Sequence, residues 1–263
     1  MTTADRFRAL HERPEPFLLP NPWDAGTARL LAHLGFPALA TTSLGVANVV
    51  GRTRATRAEI LANCREIVEA TPLPVNADLE NGFADDPAEA AKMIDAAADA
   101  GVVGASIEDH TGDSRNPIYE FGLAVDRVRA AVETARARSV VLTARCENLW
   151  LGADTLADTI RRLQAYEEAG ADVLYAPGLR TLEEIRAVVT SVGKPVNVVM
   201  GFADPSITLE QLAEIGVRRI SIGAALSRLA LKSFMDGARE MRAGRFGFVA
   251  ELPPISELQQ AFE

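Results

Sequence analysis

Short apolar runs alternate with longer amphipathic stretches along the whole chain. The short runs are apolar almost throughout, which is typical of strands that are covered on both faces. The longer stretches repeat apolar residues every three to four positions and often end at a glycine, as α-helices do. The pattern therefore predicts a parallel sheet in which each strand is followed by a helix.

Eight strand-and-helix units follow one another. The predicted strands cover residues 17–19, 37–43, 74–80, 103–109, 140–147, 173–179, 195–200 and 218–223. The predicted helices cover residues 3–12, 25–34, 56–70, 87–100, 124–137, 154–169, 181–191, 208–214 and 224–243, with a short helical run near the C-terminus. Eight units in a chain of this length favour an α/β fold of the closed (β/α)₈ type, the TIM barrel.

An open, doubly wound sheet is the alternative arrangement of these units. Such a sheet would more often carry a glycine-rich phosphate turn after its first strand, and the segment PFLLPNPWD has none. The 263 residues are 48% hydrophobic and 24% charged, which fits a single domain over residues 1–263. Residues 244–263 are predicted to form a C-terminal tail.

Composition narrows the class of partner. The net charge of −9 argues against nucleic acid or an anionic membrane as a partner. No apolar run reaches the roughly 18–20 residues that cross a bilayer, and the polar N-terminus lacks the apolar core of a signal peptide. The two cysteines are far apart and have no metal-ligand spacing, which predicts a reduced, cytoplasmic protein.

The segment PVNADLENGF, residues 74–83, carries the first candidate chemistry. Side chains in a strand repeat with period two, so Asp78 and Glu80 are predicted to lie on one side. Two neighbouring carboxylates are tolerated when they are solvated, paired with cations, or bound to a hard divalent metal such as Mg²⁺. A solvated strand end before an Asn-Gly turn is the simpler interpretation of the same residues.

Polar residues gather where the other strands end, and active sites of barrels lie at that edge. Glu108 stands at the end of the fourth predicted strand with His110 just beyond it, and Arg145 stands near the end of the fifth. We expect the carboxylates to supply oxygen ligands to a cation and Arg145 to bind a carboxylate with two hydrogen bonds. A structural ring, in which Arg145 only neutralises Glu108 or Glu147, is the alternative.

His110 is the best-placed candidate for an acid or base. It is one of three histidines, it stands beside Glu108, and an imidazole titrates near neutral pH. A loop histidine that bonds to a neighbouring helix is the competing interpretation. Cys146 is predicted to point away from Arg145 and Glu147, and to be a small buried hydrophobic residue.

Seven segments resemble the isocitrate lyase/phosphoenolpyruvate mutase superfamily over roughly residues 17–235. In chain order they are TTSLGVANVVG, PVNADLENGF, GASIEDH, TARCEN, EEAGADVLYAPGL, PVNVVM and GVRRISIG. The resemblance implies a TIM barrel whose C-terminal helix is swapped between subunits, forming homo-oligomers that are dimers or tetramers. It also implies Mg²⁺-dependent chemistry, with Mn²⁺ as an alternative ion, on a small carboxylate substrate.

The resemblance also implies roles for single residues. Asp78 would bind the metal directly, and Glu80 and Glu108 would hold it largely through water. Glu108, His110 and Arg145 would be the catalytic residues. The positions implied in substrate binding are Trp23, Ser43, Leu44, Gly45, Arg145 and Asn197.

The chain departs from this superfamily at two places. Members often have an aspartate where Arg54 stands in the segment Gly51-Arg52-Thr53-Arg54. The loop at 110–117, HTGDSRNP, has neither the cysteine of the lyase branch nor the lysine of the mutase branch. These departures argue against true isocitrate or methylisocitrate lyase activity and against phosphonomutase activity.

The reaction predicted from these features breaks a C–C or P–C bond of a 2-oxo acid through a metal-stabilised enolate. A lyase or decarboxylase is the main expectation. The alternatives are a phosphonomutase or phosphonopyruvate hydrolase-like enzyme, and a family member that binds 2-oxo acids with feeble catalysis. An unrelated barrel with a structural ion-pair ring is a further alternative.

Overall fold

A computed structural model describes all residues from 1 to 263. Eight parallel strands form one sheet in the order β1-β8-β7-β6-β5-β4-β3-β2. From β2 to β8, neighbours in sequence are neighbours in the sheet, and β1 pairs with β8. The strands are β1 (Phe17–Leu19), β2 (Leu39–Ala40), β3 (Val75–Asp78), β4 (Gly104–Glu108), β5 (Val141–Arg145), β6 (Val173–Tyr175), β7 (Val196–Val199) and β8 (Arg219–Ser221).

Helices surround this sheet. They are α1 (Thr3–Glu12), α2 (Ala25–His33), α3 (Ser43–Val49), α4 (Arg57–Ala70), α5 (Pro87–Asp99), α6 (Phe121–Ala137), α7 (Leu156–Glu168), α8 (Leu182–Ser191), α9 (Leu209–Glu214), α10 (Ala225–Arg242) and α11 (Ile255–Phe262). A 3₁₀ helix covers Gly247–Glu251. The predicted TIM barrel is thereby confirmed.

The seam between β1 and β2 is closed by a backbone bond and by Asn21. The N–H of Ala40 donates to the carbonyl of Pro20 at 3.0 Å. The Asn21 amide donates to the carbonyl of Thr41, and its oxygen accepts from the backbone N–H groups of Ile222 and Gly223. One side chain therefore ties the segments that follow β1, β2 and β8.

Helix α1 plugs the N-terminal end of the barrel. Phe7 and Leu10 are buried with Phe17 and Val141 in a small apolar cluster. A Cβ on Gly104 would lie 2.5 Å from the Phe7 ring, so the plug requires glycine at this point of β4. With this end filled, only the C-terminal end of the barrel is open to a ligand.

Most predicted elements are found within a few residues of their expected bounds. A capping box begins α4, because Thr56 and Glu59 each bond to the other's backbone N–H. Two expectations are wrong. Ser43, the last residue of the second predicted strand, is instead the first residue of helix α3, which Thr42 caps. Strand β3 ends at Asp78, and Glu80 has a positive φ of 50°, so the period-two argument does not place its side chain.

The last helices differ in how they are packed. Helix α11 lies in the predicted tail and packs on α2, where Arg29 donates to the carbonyl of Phe262 at 2.7 Å. Helix α10 leaves several large apolar side chains exposed, namely Leu229, Leu231, Phe234, Met235 and Met241. The helix swap stays a prediction. No helix in the structure combines the length and the apolar character needed to cross a membrane.

Candidate active site

A cavity of about 390 Å³ opens at the C-terminal end of the barrel. Eight of the ten predicted site residues line it, namely Ser43, Leu44, Asp78, Glu80, Glu108, His110, Arg145 and Asn197. Trp23 and Gly45 are not among the lining residues. A Cβ on Gly45 would lie 3.0 Å from that of Trp23 and closer still to Thr42, so both residues pack behind the wall formed by α3.

Arg145 is the centre of the cavity's charged groups. Its Nη1 lies 3.0 Å from Asp78 Oδ1, its Nη2 lies 3.2 Å from Glu108 Oε2, and its Nε lies 2.9 Å from Glu147 Oε1. The Tyr175 ring faces the guanidinium at 4.8 Å. The ion-pair alternative considered for Arg145 is thus present in the structure, and it includes Asp78 as well as Glu108 and Glu147.

The carboxylates around Arg145 differ in their proton affinity. Burial raises the pKa of Glu147 to about 8, although Arg145 opposes this change. Burial also acts to raise the pKa of Glu108, but the charge of Arg145 and the contact with His110 outweigh it and hold that pKa below its ordinary value. One guanidinium therefore keeps Glu108 ionised and leaves Glu147 prone to hold a proton near neutral pH.

Glu80 has a guanidinium of its own. Arg54 Nε donates to Glu80 Oε2 at 2.7 Å, and Arg54 Nη2 lies 2.6 Å from the same oxygen. Burial raises the pKa of Glu80, with Arg54 acting in the opposite direction. The arginine that replaces the expected aspartate thus contacts a predicted metal ligand.

The donor chemistry of this cluster suits a divalent cation, but the side chains are not gathered around one point. No three His, Cys, Asp or Glu side chains are arranged to hold a metal directly. Four carboxylates, of Asp78, Glu80, Glu108 and Glu147, face the guanidinium groups of Arg54 and Arg145. The fully ionised cluster has a net charge of −2. Hard oxygen donors with this excess charge fit Mg²⁺ that keeps part of its water shell.

The start of α3 offers fewer free N–H groups than a turn would. The backbone N–H and the hydroxyl of Ser43 both donate to Asp78 Oδ2 at 2.9 Å. The N–H of Gly45 donates to the Thr42 hydroxyl at 3.3 Å. Both oxygens of Asp78 are therefore bonded, one by Ser43 and the other by Arg145.

His110 lines the cavity and begins the loop at 110–117. Its Nδ1 lies 3.6 Å from Glu108 Oε1, and about one third of its side chain is exposed. The loop closes on itself, because the N–H of Thr111 donates to the carbonyl of Pro117 and the Thr111 hydroxyl donates to that of Asn116. His110 is thus held at the edge of the cavity beside a predicted catalytic carboxylate.

Beneath Arg145 the barrel interior is polar, which the sequence analysis missed. Arg219 Nε donates to Asn197 Oδ1 at 2.8 Å, and the Asn197 amide donates to the Ser221 hydroxyl at 3.0 Å. Arg219 is buried with no carboxylate partner, and this burial lowers its pKa to about 9. A charged residue within an apolar strand, on the same side as Ser221, was the available signal.

An aromatic pair on the other side of the cavity was also missed. The rings of Trp150 and Phe202 lie with their centroids 4.2 Å apart, and both residues line the cavity. Trp150 follows β5 and Phe202 follows β7, and β6 lies between these two strands. That the two rings are in contact could therefore be learned only from the three-dimensional structure.

Fold and site together define a (β/α)₈ barrel enzyme of the isocitrate lyase/phosphoenolpyruvate mutase superfamily. The family profile of phosphoenolpyruvate phosphomutase matches residues 7–242, and the chain belongs to this family. The superfamily resemblance seen in the sequence is thereby confirmed.

Relatives in this superfamily have different activities. An uncharacterised protein of Mycobacterium tuberculosis strain H37Rv is 32% identical over 96% of this chain and 94% of its own length. The 2-methylisocitrate lyase of Salmonella typhimurium is 28% identical, covering 89% of this chain and 81% of its own. The oxaloacetate decarboxylase of Bradyrhizobium diazoefficiens is 27% identical, covering 84% and 79%.

Solved structures agree with this placement. A Burkholderia cenocepacia J2315 protein that is named as a lyase/mutase is 52% identical. Its TM-score is 0.96, with 99% of this chain and 95% of the other covered. A 2,3-dimethylmalate lyase structure is 29% identical with a TM-score of 0.85, covering 100% and 95%.

Proposed function

We propose that this protein is a Mg²⁺-dependent carbon–carbon lyase acting on a small 2-oxo acid. The observation that carries the proposal is the cluster around Arg145, where acids from β3, β4 and the end of β5 meet one guanidinium in an open cavity. The superfamily consists of metal-dependent lyases and mutases of small oxo acids, which supports the reaction class. The particular acid is left to experiment.

The metal would be held by Asp78, with Glu80 and Glu108 acting through water. Bound there, Mg²⁺ supplies Lewis-acid stabilisation for the charge that develops on the 2-oxo group as the bond beyond it breaks. Carboxylates outnumber guanidinium groups in this cluster even when Glu147 holds a proton, and this excess suits a divalent cation. Mn²⁺ has the same oxygen preference and is the alternative ion.

Arg145 and Ser43 would orient the substrate. A guanidinium presents paired N–H donors that match a carboxylate, and Arg145 reaches the centre of the cavity. Asn197 presents its amide to the same cavity from β7, and Arg219 fixes the orientation of that amide. His110, at the mouth, would hold or deliver the proton that the 2-oxo fragment takes up at carbon once the bond has broken.

A 2-oxo acid binder with feeble turnover is the second candidate. One observation favours it: Arg145 is already engaged by three carboxylates, and the neighbouring loop carries no lysine or cysteine. A phosphonomutase or phosphonopyruvate hydrolase-like activity has no such specific support.

We also propose a homo-oligomer built through α10. The exposed apolar residues of this helix, with no partner in the single chain, form a surface that a second copy can cover. Light scattering coupled to gel filtration tests this assembly, and a monomer at micromolar concentration would contradict it. A cytoplasmic location stays a prediction, to be tested by fractionation of the source cells.

The reaction itself is tested by product release. Purified enzyme with Mg²⁺ is incubated with oxaloacetate, 2-methylisocitrate, 2,3-dimethylmalate and phosphonopyruvate, and pyruvate, CO₂ and phosphate are measured. Cleavage of a C–C bond in one of these acids that stops with EDTA and returns with Mg²⁺ supports the proposal. If the organic acids raise the melting temperature but no product forms, the protein is a 2-oxo acid binder with feeble turnover. Release of phosphate from phosphonopyruvate identifies cleavage of a P–C bond.

A further inference from the structure

The cavity mouth differs in character between its two sides. Over β2 to β4 the lining is mostly polar, with Ser43, Glu80 and His110, and Leu44 is the exposed apolar residue there. Over β5 to β7 the large aromatic side chains of Trp150 and Phe202 join the charged groups around Arg145. Trp150 is 48% exposed, although burial of an indole ring is energetically favourable.

The side over β5 to β7 is rigidly supported by close backbone packing. Gly178 has a φ of +94°, and a Cβ on it would lie 2.7 Å from the backbone nitrogen of Trp150. A Cβ on Gly201, next to Phe202, would lie 2.9 Å from the carbonyl oxygen of Ile222. Both aromatic loops therefore lie against backbone that leaves no room for a side chain.

Asn148 fixes the base of the Trp150 loop. Its side-chain oxygen accepts hydrogen bonds from the Thr159 hydroxyl at 2.6 Å and from the N–H of Leu149 at 2.8 Å. Its amide donates to Asp158 at 3.2 Å, and the residue is 1% exposed. The backbone that carries the exposed ring is thus fixed before a ligand binds, which lowers the entropic cost of ligand binding at this ring.

We infer that the substrate is a 2-oxo acid carrying a branched alkyl or aryl substituent, which packs on the Trp150–Phe202 pair while the acid end binds at Arg145. This inference rests on the proposed function and names its substrate class. The cavity of about 390 Å³ lies within the roughly 300–1,000 Å³ of ordinary ligand pockets, so a substituent has room beside the acid.

Calorimetric titration in Mg²⁺ tests the inference with three acids that share one head group. Pyruvate lacks the substituent, 4-methyl-2-oxopentanoate has a branched alkyl group, and 2-oxo-3-phenylpropanoate has a phenyl ring. We expect the substituted acids to bind about tenfold or more tightly than pyruvate, because aromatic packing adds to apolar burial. Trp150→Ala should bring the three dissociation constants within about threefold and leave that of pyruvate unchanged.

Phe246→Ala is the matched control, since it removes an aromatic ring that is 62% exposed but lies outside the cavity. It should preserve the preference for substituted acids. Equal affinity for all three acids in the unmodified enzyme, or a parallel loss of all three in Trp150→Ala, overturns the subsite while the acid-binding site stands. Failure of every acid to bind overturns both the subsite and the proposed function.

Discussion

Arg145 Nη1 lies 3.0 Å from Asp78 Oδ1, so the central cation of the cavity is bonded to the carboxylate expected to hold the metal. The other oxygen of Asp78 accepts from Ser43. Because Oδ2 accepts from both the N–H and the hydroxyl of Ser43, a divalent ion that binds Asp78 would approach Oδ1 and compete there with Arg145. If the ion displaces Arg145, the guanidinium becomes available to a substrate carboxylate, so metal binding and acid binding should be coupled.

Asp78→Asn should abolish the thermal stabilisation that Mg²⁺ gives to the protein. The amide keeps the shape of the side chain but lacks the charge that a hard cation requires. Melting temperature is measured against Mg²⁺ concentration, because a ligand that binds only the folded state stabilises it by mass action. Asp113→Asn is the control and should keep the shift, because Asp113 bonds to Arg115 and does not line the cavity. An undiminished shift in Asp78→Asn would remove Asp78 from the site.

Arg54→Ala should strengthen Mg²⁺ binding by about two- to fivefold. Half of the Arg54 side chain is exposed, and an ion pair of this kind is worth about 0.2–1 kcal/mol. Removing it frees Glu80 for the metal. Arg52→Ala is a matched control, since Arg52 stands two residues earlier and pairs instead with Glu59. Weaker binding in Arg54→Ala would show that Arg54 supports the metal site.

Arg145→Met should destabilise the metal-free protein by about 3–5 kcal/mol, because it leaves largely buried carboxylates without their cation. Urea unfolding in EDTA measures this loss. Addition of Mg²⁺ should restore part of the stability by neutralising the same acids, while binding of 2-oxo acids should stay lost. A variant as stable as the original protein in EDTA would mean that these carboxylates hold protons instead of charges.

His11 gives a pH dependence that is separate from the active site. It is buried under the barrel with Nδ1 2.9 Å from the Phe7 carbonyl oxygen, and burial together with the charge of Arg219 lowers its pKa from 6.5 to about 3. As the pH falls below about 6.5, His11 takes up a proton in the unfolded chain, whereas in the folded protein it stays neutral down to about pH 3. Stability is therefore present above that pH and is lost toward pH 3.

His11→Gln should remove this contribution. The difference in unfolding free energy between the original protein and the variant should change by ~2 kcal/mol between pH 7 and pH 5, with the original protein losing more as the pH falls. Urea titrations at both pH values measure it. His33→Gln, on an exposed helical residue, is the control. A difference that is constant with pH would mean that His11 takes up a proton as readily in the folded protein as in the unfolded chain.

The barrel was predictable because each strand and helix is marked by a local pattern of apolar residues, and eight such units follow one another along the chain. Asp78, Glu108 and Arg145 were found from position alone, since parallel strands bring their ends to one edge. The capping box at Thr56 was equally local.

What the sequence could not supply was pairing between distant residues. The link between Arg54 and Glu80 joins two loops, and Glu80 leaves the strand period through a positive φ. Arg219 lies within the eighth predicted strand, and its bond to Asn197 on β7 inside the barrel depends on the packing of the two strands. The Trp150–Phe202 pair depends on two loops separated by β6. Each of these is set by tertiary packing.

Calorimetric titration of oxalate, a mimic of a 2-oxo acid's enolate form, tests the central claim most directly. We predict saturable binding in Mg²⁺, and loss of that binding both in EDTA and in Asp78→Asn. Equal affinity for oxalate with Mg²⁺ and with EDTA would show that the carboxylates around Arg145 form only a structural ion-pair ring, and would contradict the account.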